Sequence, residues 1–115
     1  MRLDDDTVRM RHMLEAAQEA MSFTAKRTRD DLDSDRKLVL ALIKCIEIIG
    51  EAASKVSPTT RAKQSHLDWP DVVGMRNRLI HMYYDVNLDV VWSTVCNDLP
   101  PLVEQLKKIL PPGDP

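Results

Sequence analysis

The stretch Arg76-Asn77-Arg78-Leu79-Ile80-His81-Met82-Tyr83 gathers two guanidiniums, an amide, an imidazole and a phenol. Such a set can hold a phosphate, move a proton and present a nucleophilic hydroxyl. Arg76 and Arg78 each carry the planar fork of donors that matches phosphate oxygens. Histidine titrates near neutral pH, so His81 can act as a general acid or base, a role typically worth ~10²–10⁴ in rate. Asn77 could orient the imidazole or a phosphate oxygen. Cutting RNA without a metal needs a base for the 2′-hydroxyl, an acid for the leaving oxygen and a cation for the phosphorane.

Spacing limits how these groups can meet. If the segment were one straight α-helix, each residue would advance by about 100°. Asn77 and His81 would share a face, as would Arg78 and His81. Arg76 would lie about 140° from His81, and Tyr83 about 200°. Convergence of Arg76, His81 and Tyr83 therefore requires either that the helix end near His81 or that a second chain complete the site. The second option places the site at a symmetric dimer interface.

The rest of the chain reads as helical scaffold. Met10, Met13, Leu14, Ala17 and Met21 recur at three- and four-residue steps and predict a first helix from about Asp4 to Lys26. Asp4–Asp6 suit its positive end, and Lys26, Arg27 and Arg29 its negative end. The acidic segment Asp30–Asp35 reads as a loop, with Asp33 or Ser34 capping the next helix. That helix, about Asp35 to Val56, is apolar nearly all round and so buried on several sides. Its polar stripe is Lys44, Glu47, Glu51 and Lys55. Gly50 weakens it by roughly 1 kcal/mol relative to alanine and could admit a neighbouring backbone. Ser57-Pro58 and Asp68-Trp69-Pro70-Asp71 are helix starts. The second of these is expected to run into the 76–83 segment as helix. Asn87 can cap a last helix carrying Trp92, Val95, Leu99, Leu102, Leu106 and Ile109, which Pro100-Pro101 must kink or divide. No run alternates strictly enough to predict a strand. The expectation is one all-α domain over residues 1–110, an antiparallel bundle of four to five helices, with a frayed tail at 111–115.

Composition narrows the class. A chain of 115 residues with 43% hydrophobic and 30% charged residues suits one globular domain. No stretch approaches the ~18 apolar residues of a membrane span, and Asp4–Asp6 stand where a secretory signal would be basic, so a cytoplasmic protein is expected. The net charge of −2 argues against a general nucleic-acid binder. Between Arg61 and His81, however, Arg61, Lys63, Arg76 and Arg78 face only Asp68 and Asp71, and a dimer would double that local patch.

Other candidates carry less. Cys45 and Cys96 match no metal or redox spacing and are expected to be reduced, buried thiols. His12 and His66 lack a local constellation and are expected at the surface. Glu47 and Glu51 share a face, as an acid pair or metal site or, more simply, as a salt-bridged stripe. Gly-rich phosphate loops, zinc-protease elements and nucleophile elbows are missing from the sequence, and neither a metal site nor a cofactor is expected.

The segment Met75 to Tyr83 resembles the Arg-x4–6-His-x-Tyr motif of the HepT-like toxins, in the HEPN superfamily of helical ribonucleases. Ile48-Ile49-Gly50-Glu51-Ala52-Ala53 is similar to that family's Ile-Gly-Glu-Ala element. Trp69 matches its tryptophan before the motif, and Asp89-Val90-Val91-Trp92 followed by Leu99-Pro100 matches its last helix. The resemblance implies a homodimeric HEPN-like bundle whose paired motifs line one cleft, and metal-independent cleavage of RNA, mRNA or tRNA. It also implies an MntA-type nucleotidyltransferase antitoxin that adenylylates the motif tyrosine. Carried over, Arg76 and His81 are catalytic, Asn77 and Arg78 support the RNA phosphate, and Tyr83, beside a second phenol at Tyr84, is the modification site. Two alternatives stand beside the toxin ribonuclease: a non-catalytic nucleotide-binding or regulatory module, and a purely structural bundle.

Overall fold

Three long helical rods carry most of the buried apolar surface. The structure is a computed structural model that describes residues 3–82 and 85–111, with side chains over 5–80 and 85–111. The first rod is α1, Leu3–Thr24. Its Met10, Met13, Leu14 and Ala17 are buried as the spacing predicts, joined by Ala16 and Ala20. These small side chains let α1 lie close along α3, Arg36–Ser54, its principal neighbour. The third rod consists of α6, Leu88–Ser93, a π-helical turn at Thr94–Asp98, and α7, Leu99–Ile109. Leu99, Leu102 and Leu106 of α7 are buried, and α7 packs on α1.

The expected division at Pro100-Pro101 takes a specific form. Prolines have no N–H to return to the carbonyls of Cys96 and Asn97. The helix widens just before them, and the Leu99 N–H reaches back to the carbonyl of Thr94.

The acidic segment differs from its expected form. Asp31–Ser34 is a short helix, α2, and the cap of α3 is Asp35, not Asp33 or Ser34. The Asp35 carboxylate accepts from the Leu38 N–H at 3.1 Å and from Arg27 at 2.7 Å. Arg27 also pairs with Asp31 at 3.1 Å, so one cation gathers the carboxylates that would otherwise repel one another.

Two short helices follow α3. In α4, Pro58–Lys63, Ser57 caps by accepting from Thr60 N–H. In α5, Trp69–Val73, Asp68 caps by accepting from Asp71 N–H. Asp6, on α1, is only 2% exposed. It accepts from the Ser57 N–H at 3.0 Å, from Ser57 Oγ at 2.5 Å and from Thr60 Oγ1 at 2.5 Å. Asp6 thus serves as a tether between α1 and the start of α4, beyond any role at the positive end of its own helix. Arg61 turns back to the carbonyls of Val56 and Ala53 at the end of α3 and stacks over Trp69 at 5.7 Å.

The expected helix through residues 76–83 is corrected. α5 ends at Val73, and a 3-10 turn occupies Met75–Leu79. Two short antiparallel strands follow, β1 at Ile80–Met82 and β2 at Asp85–Val86, with Ile80 opposite Val86 and an irregular register. The Leu79 carbonyl is taken by the Asn87 N–H at 2.7 Å and is closed off from a helical donor. Asn87 itself caps α6, as its position predicts. The fourth long helix of the expected bundle is therefore a chain of short pieces, and the fold remains overwhelmingly helical.

Candidate active site

The 3-10 turn is held against α3 by close backbone contact. A Cβ on Gly50 would meet the Val73 carbonyl oxygen at 3.0 Å, so glycine lets the end of α5 rest on α3. Met75 and Leu79 then anchor the turn from beneath, both nearly fully buried. Arg76, Asn77 and Arg78 are left exposed between these anchors.

Arg76 leans onto α3, its Nε donating to Glu47 Oε2 at 2.9 Å. Arg76 and Asn77 both line an open groove of about 680 Å³, with α3 contributing Lys44, Glu47, Ile48 and Glu51, and Lys55 just past its end. From α1 come Arg9 and His12. The groove's carboxylates are each matched by a cation: Glu47 by Arg76, and Glu51 by Lys55 at 3.3 Å. This is the salt-bridged stripe, not an acid pair. Among the described residues no cluster of His, Cys, Asp and Glu has the grouping of a metal site.

Arg78 points elsewhere. It donates to Asp71 on α5 and pairs with Asp98 of the π turn at 3.5 Å. The structure therefore brings Arg76 and Asn77 together and sends Arg78 to a clamp between α5 and the third rod. The backbone of His81 lies in β1, directly after the turn. Its side chain, and Tyr83 and Tyr84 entirely, lie outside the described residues, as does tail segment 112–115.

Arg9 and His12 carry no local signal in the sequence that ties them to a site. Arg9 and His12 are three apart on α1 and share a helical face. Their distance along the chain from residues 76–83 hid the link. His12 is exposed, as expected, but it also lines the groove. Conversely, Arg61 belongs to the end of α3 and not to a basic patch. Of the thiols, only Cys45 is buried, while Cys96, in the π turn, is exposed. Burial, with the Glu19 carboxylate 3.7 Å away, pushes Cys45 up to about 11.

The family model described as "Ribonuclease HepT-like" matches residues 13–109. The chain belongs to the HepT-like ribonuclease family. Relatives agree. A protein named "Putative RNase" from Caldanaerobacter subterraneus subsp. tengcongensis is 38% identical over 81 residues, covering 70% of this chain and 72% of the relative. "Probable ribonuclease HepT" of Thermococcus cleftensis is 33% identical over 95 residues, covering 83% of this chain and 86% of the relative. A Methanocaldococcus jannaschii protein named "Gamma-glutamylcyclotransferase and putative RNase" is 35% identical over 106 residues; the match takes in 92% of this chain but only 48% of that longer relative. No solved structure matches. In this HepT-like chain the groove is lined in part by Arg76 and Asn77. No helix of the described residues is long and apolar enough to cross a membrane.

Proposed function

We propose that this HepT-like chain is a metal-independent endoribonuclease and the toxin of a toxin–antitoxin pair. The observation that carries the reading is the placement of Arg76 and Asn77 in a polar groove immediately before the strand that bears His81. In this reading a base takes the proton of the ribose 2′-hydroxyl, and that oxygen attacks the adjacent phosphorus. The 5′-oxygen of the next nucleotide leaves with a proton from an acid. The products are a 2′,3′-cyclic phosphate and a 5′-hydroxyl. His81 supplies the acid or base, Arg76 bears the phosphorane charge, and Asn77 orients a phosphate oxygen.

One imidazole cannot give and take a proton in the same instant, so the site calls for a second titrating group. A homodimer that brings two copies of the motif to one cleft provides it. Arg78, held by Asp71 and Asp98, then supports the RNA phosphate only indirectly, by fixing the turn. Tyr83 is the hydroxyl that an MntA-type nucleotidyltransferase antitoxin adenylylates. Family membership supports the ribonuclease; the toxin role, the dimer and the antitoxin extend from the resemblance of the motif. The test is incubation of wild type and His81→Ala with total RNA and tRNA in EDTA.

A second reading has its own observation. Arg9, Lys44 and Arg76 line one groove, and such cations suit a module that holds a nucleotide phosphate without turning it over. That reading expects AMP or ATP to raise the melting temperature and Arg76→Ala to abolish the shift.

A further inference from the structure

We infer that Arg9 and His12 of α1, with Lys44 of α3, form a binding wall for the phosphodiester backbone of single-stranded RNA beside the Arg76 position. The inference rests on the ribonuclease reading and adds the residues that would hold the strand.

Charge decides the ligand class. The chain carries a net −2, yet this groove is lined by Arg9, Lys44, Lys55 and Arg76 against only Glu47 and Glu51. Lys55 and Arg76 are the cations that those carboxylates occupy. No carboxylate of the described residues lies within 4.0 Å of Arg9 or Lys44. The surplus positive charge of the groove is therefore concentrated on the α1 side and on Lys44. On an acidic protein, a local cationic groove attracts polyanions.

Geometry selects a strand over a compact anion. Arg9 and His12 share one face of α1, and the groove runs from them across α3 to Arg76 and Asn77. A volume of about 680 Å³ admits a short length of chain. A strand seated at Arg76 would place its neighbouring phosphates against Arg9 and Lys44. The His12 imidazole offers a ring for a base to stack on or a donor for a phosphate. Ile48, exposed on the same groove, offers an apolar surface to a base.

The test uses the full chain and two RNA probes: a cleavable oligoribonucleotide, and the same sequence with 2′-O-methyl groups, which cannot be cut. Arg9→Ala/Lys44→Ala should raise KM roughly five- to tenfold with kcat little changed, and should weaken the uncut probe equally. The slope of log affinity against log salt should fall by about 1.4, the loss of two phosphate contacts on a single strand. His12→Ala should weaken the uncut probe less than the double variant does. Wild-type cleavage with unchanged KM and slope in the double variant overturns the wall and leaves the ribonuclease intact. Binding of the uncut probe that depends on Arg9 and Lys44, without cleavage by wild type, supports the wall and removes the ribonuclease. If wild type binds neither probe, both fall. Circular dichroism and melting of each variant keep unfolding out of the comparison.

Discussion

Arg76 and Glu47 are joined across two elements by one charge-assisted hydrogen bond of 2.9 Å. It links the turn after α5 to α3 and sets where the Arg76 guanidinium sits. With side chains 49% and 34% exposed, the pair adds little stability, at most about 1 kcal/mol. Its consequence is positional.

Glu47→Ala is therefore expected to melt within a few degrees of wild type while kcat falls about ten- to a hundredfold, because an unanchored Arg76 no longer meets the phosphorane in place. KM should fall modestly, since the groove loses a negative charge. Glu47→Gln keeps an acceptor and should recover part of kcat. A kcat equal to wild type in Glu47→Ala would remove the positioning role.

Gly50→Ala tests how the turn is seated. The added methyl would meet the Val73 carbonyl at 3.0 Å, inside ordinary contact distance. Alanine is the better helix former by about 1 kcal/mol, so an unhindered site would be stabilised. Here the end of α5 must give way by a few tenths of an ångström, carrying Met75–Leu79 with it. The expected result is a melting temperature no higher than wild type and reduced cleavage; a clear gain in stability with full activity would contradict it.

Asp6 should make stability fall in acid. Burial pushes its carboxyl up, but hydrogen bonds from Ser57 and Thr60 together prevail and hold it below the ordinary 3.8. A carboxylate with a lowered folded-state value contributes fully above the unfolded value, and that contribution disappears as pH falls through the folded one. Asp6→Asn should cost about 2 kcal/mol at pH 7 and noticeably less near pH 2–3. Equal losses at both pH values, measured by urea unfolding, would refute the charged tether.

The thiols should separate cleanly. Cys96 is exposed and Cys45 buried, with its thiol pushed up to about 11. A thiol reagent at pH 7.5 is expected to modify one cysteine per native chain, identified as Cys96 by peptide mass, and both after unfolding. Early labelling of Cys45 would contradict the packing of α1 on α3.

Much of the scaffold was legible because its signals are local. Ser57, Asp68 and Asn87 each cap the helix they precede, and Met10, Met13, Leu14 and Ala17 each face the core. Gly50 signals a close backbone approach, and the backbone that approaches it is that of Val73. What sequence periodicity misjudged depends on distant partners. Met75 and Leu79 are four apart and look helical, but Asn87 takes the Leu79 carbonyl and ends the run. The equivalence of Arg76 and Arg78 on paper is broken by Glu47 on one side and by Asp71 and Asp98 on the other. Arg9 and His12 could be paired by their spacing, but only the docking of α1 on α3 brings them to residues 76 and 77.

The most direct measurement is cleavage of total RNA and tRNA in EDTA by wild type and by His81→Ala, after mass spectrometry confirms that the wild-type chain is not adenylylated. The expected result is cutting by wild type alone, with 2′,3′-cyclic phosphate ends and an unchanged fold in the variant. Equal cutting by both proteins, or none by either, would contradict a ribonuclease that works through His81.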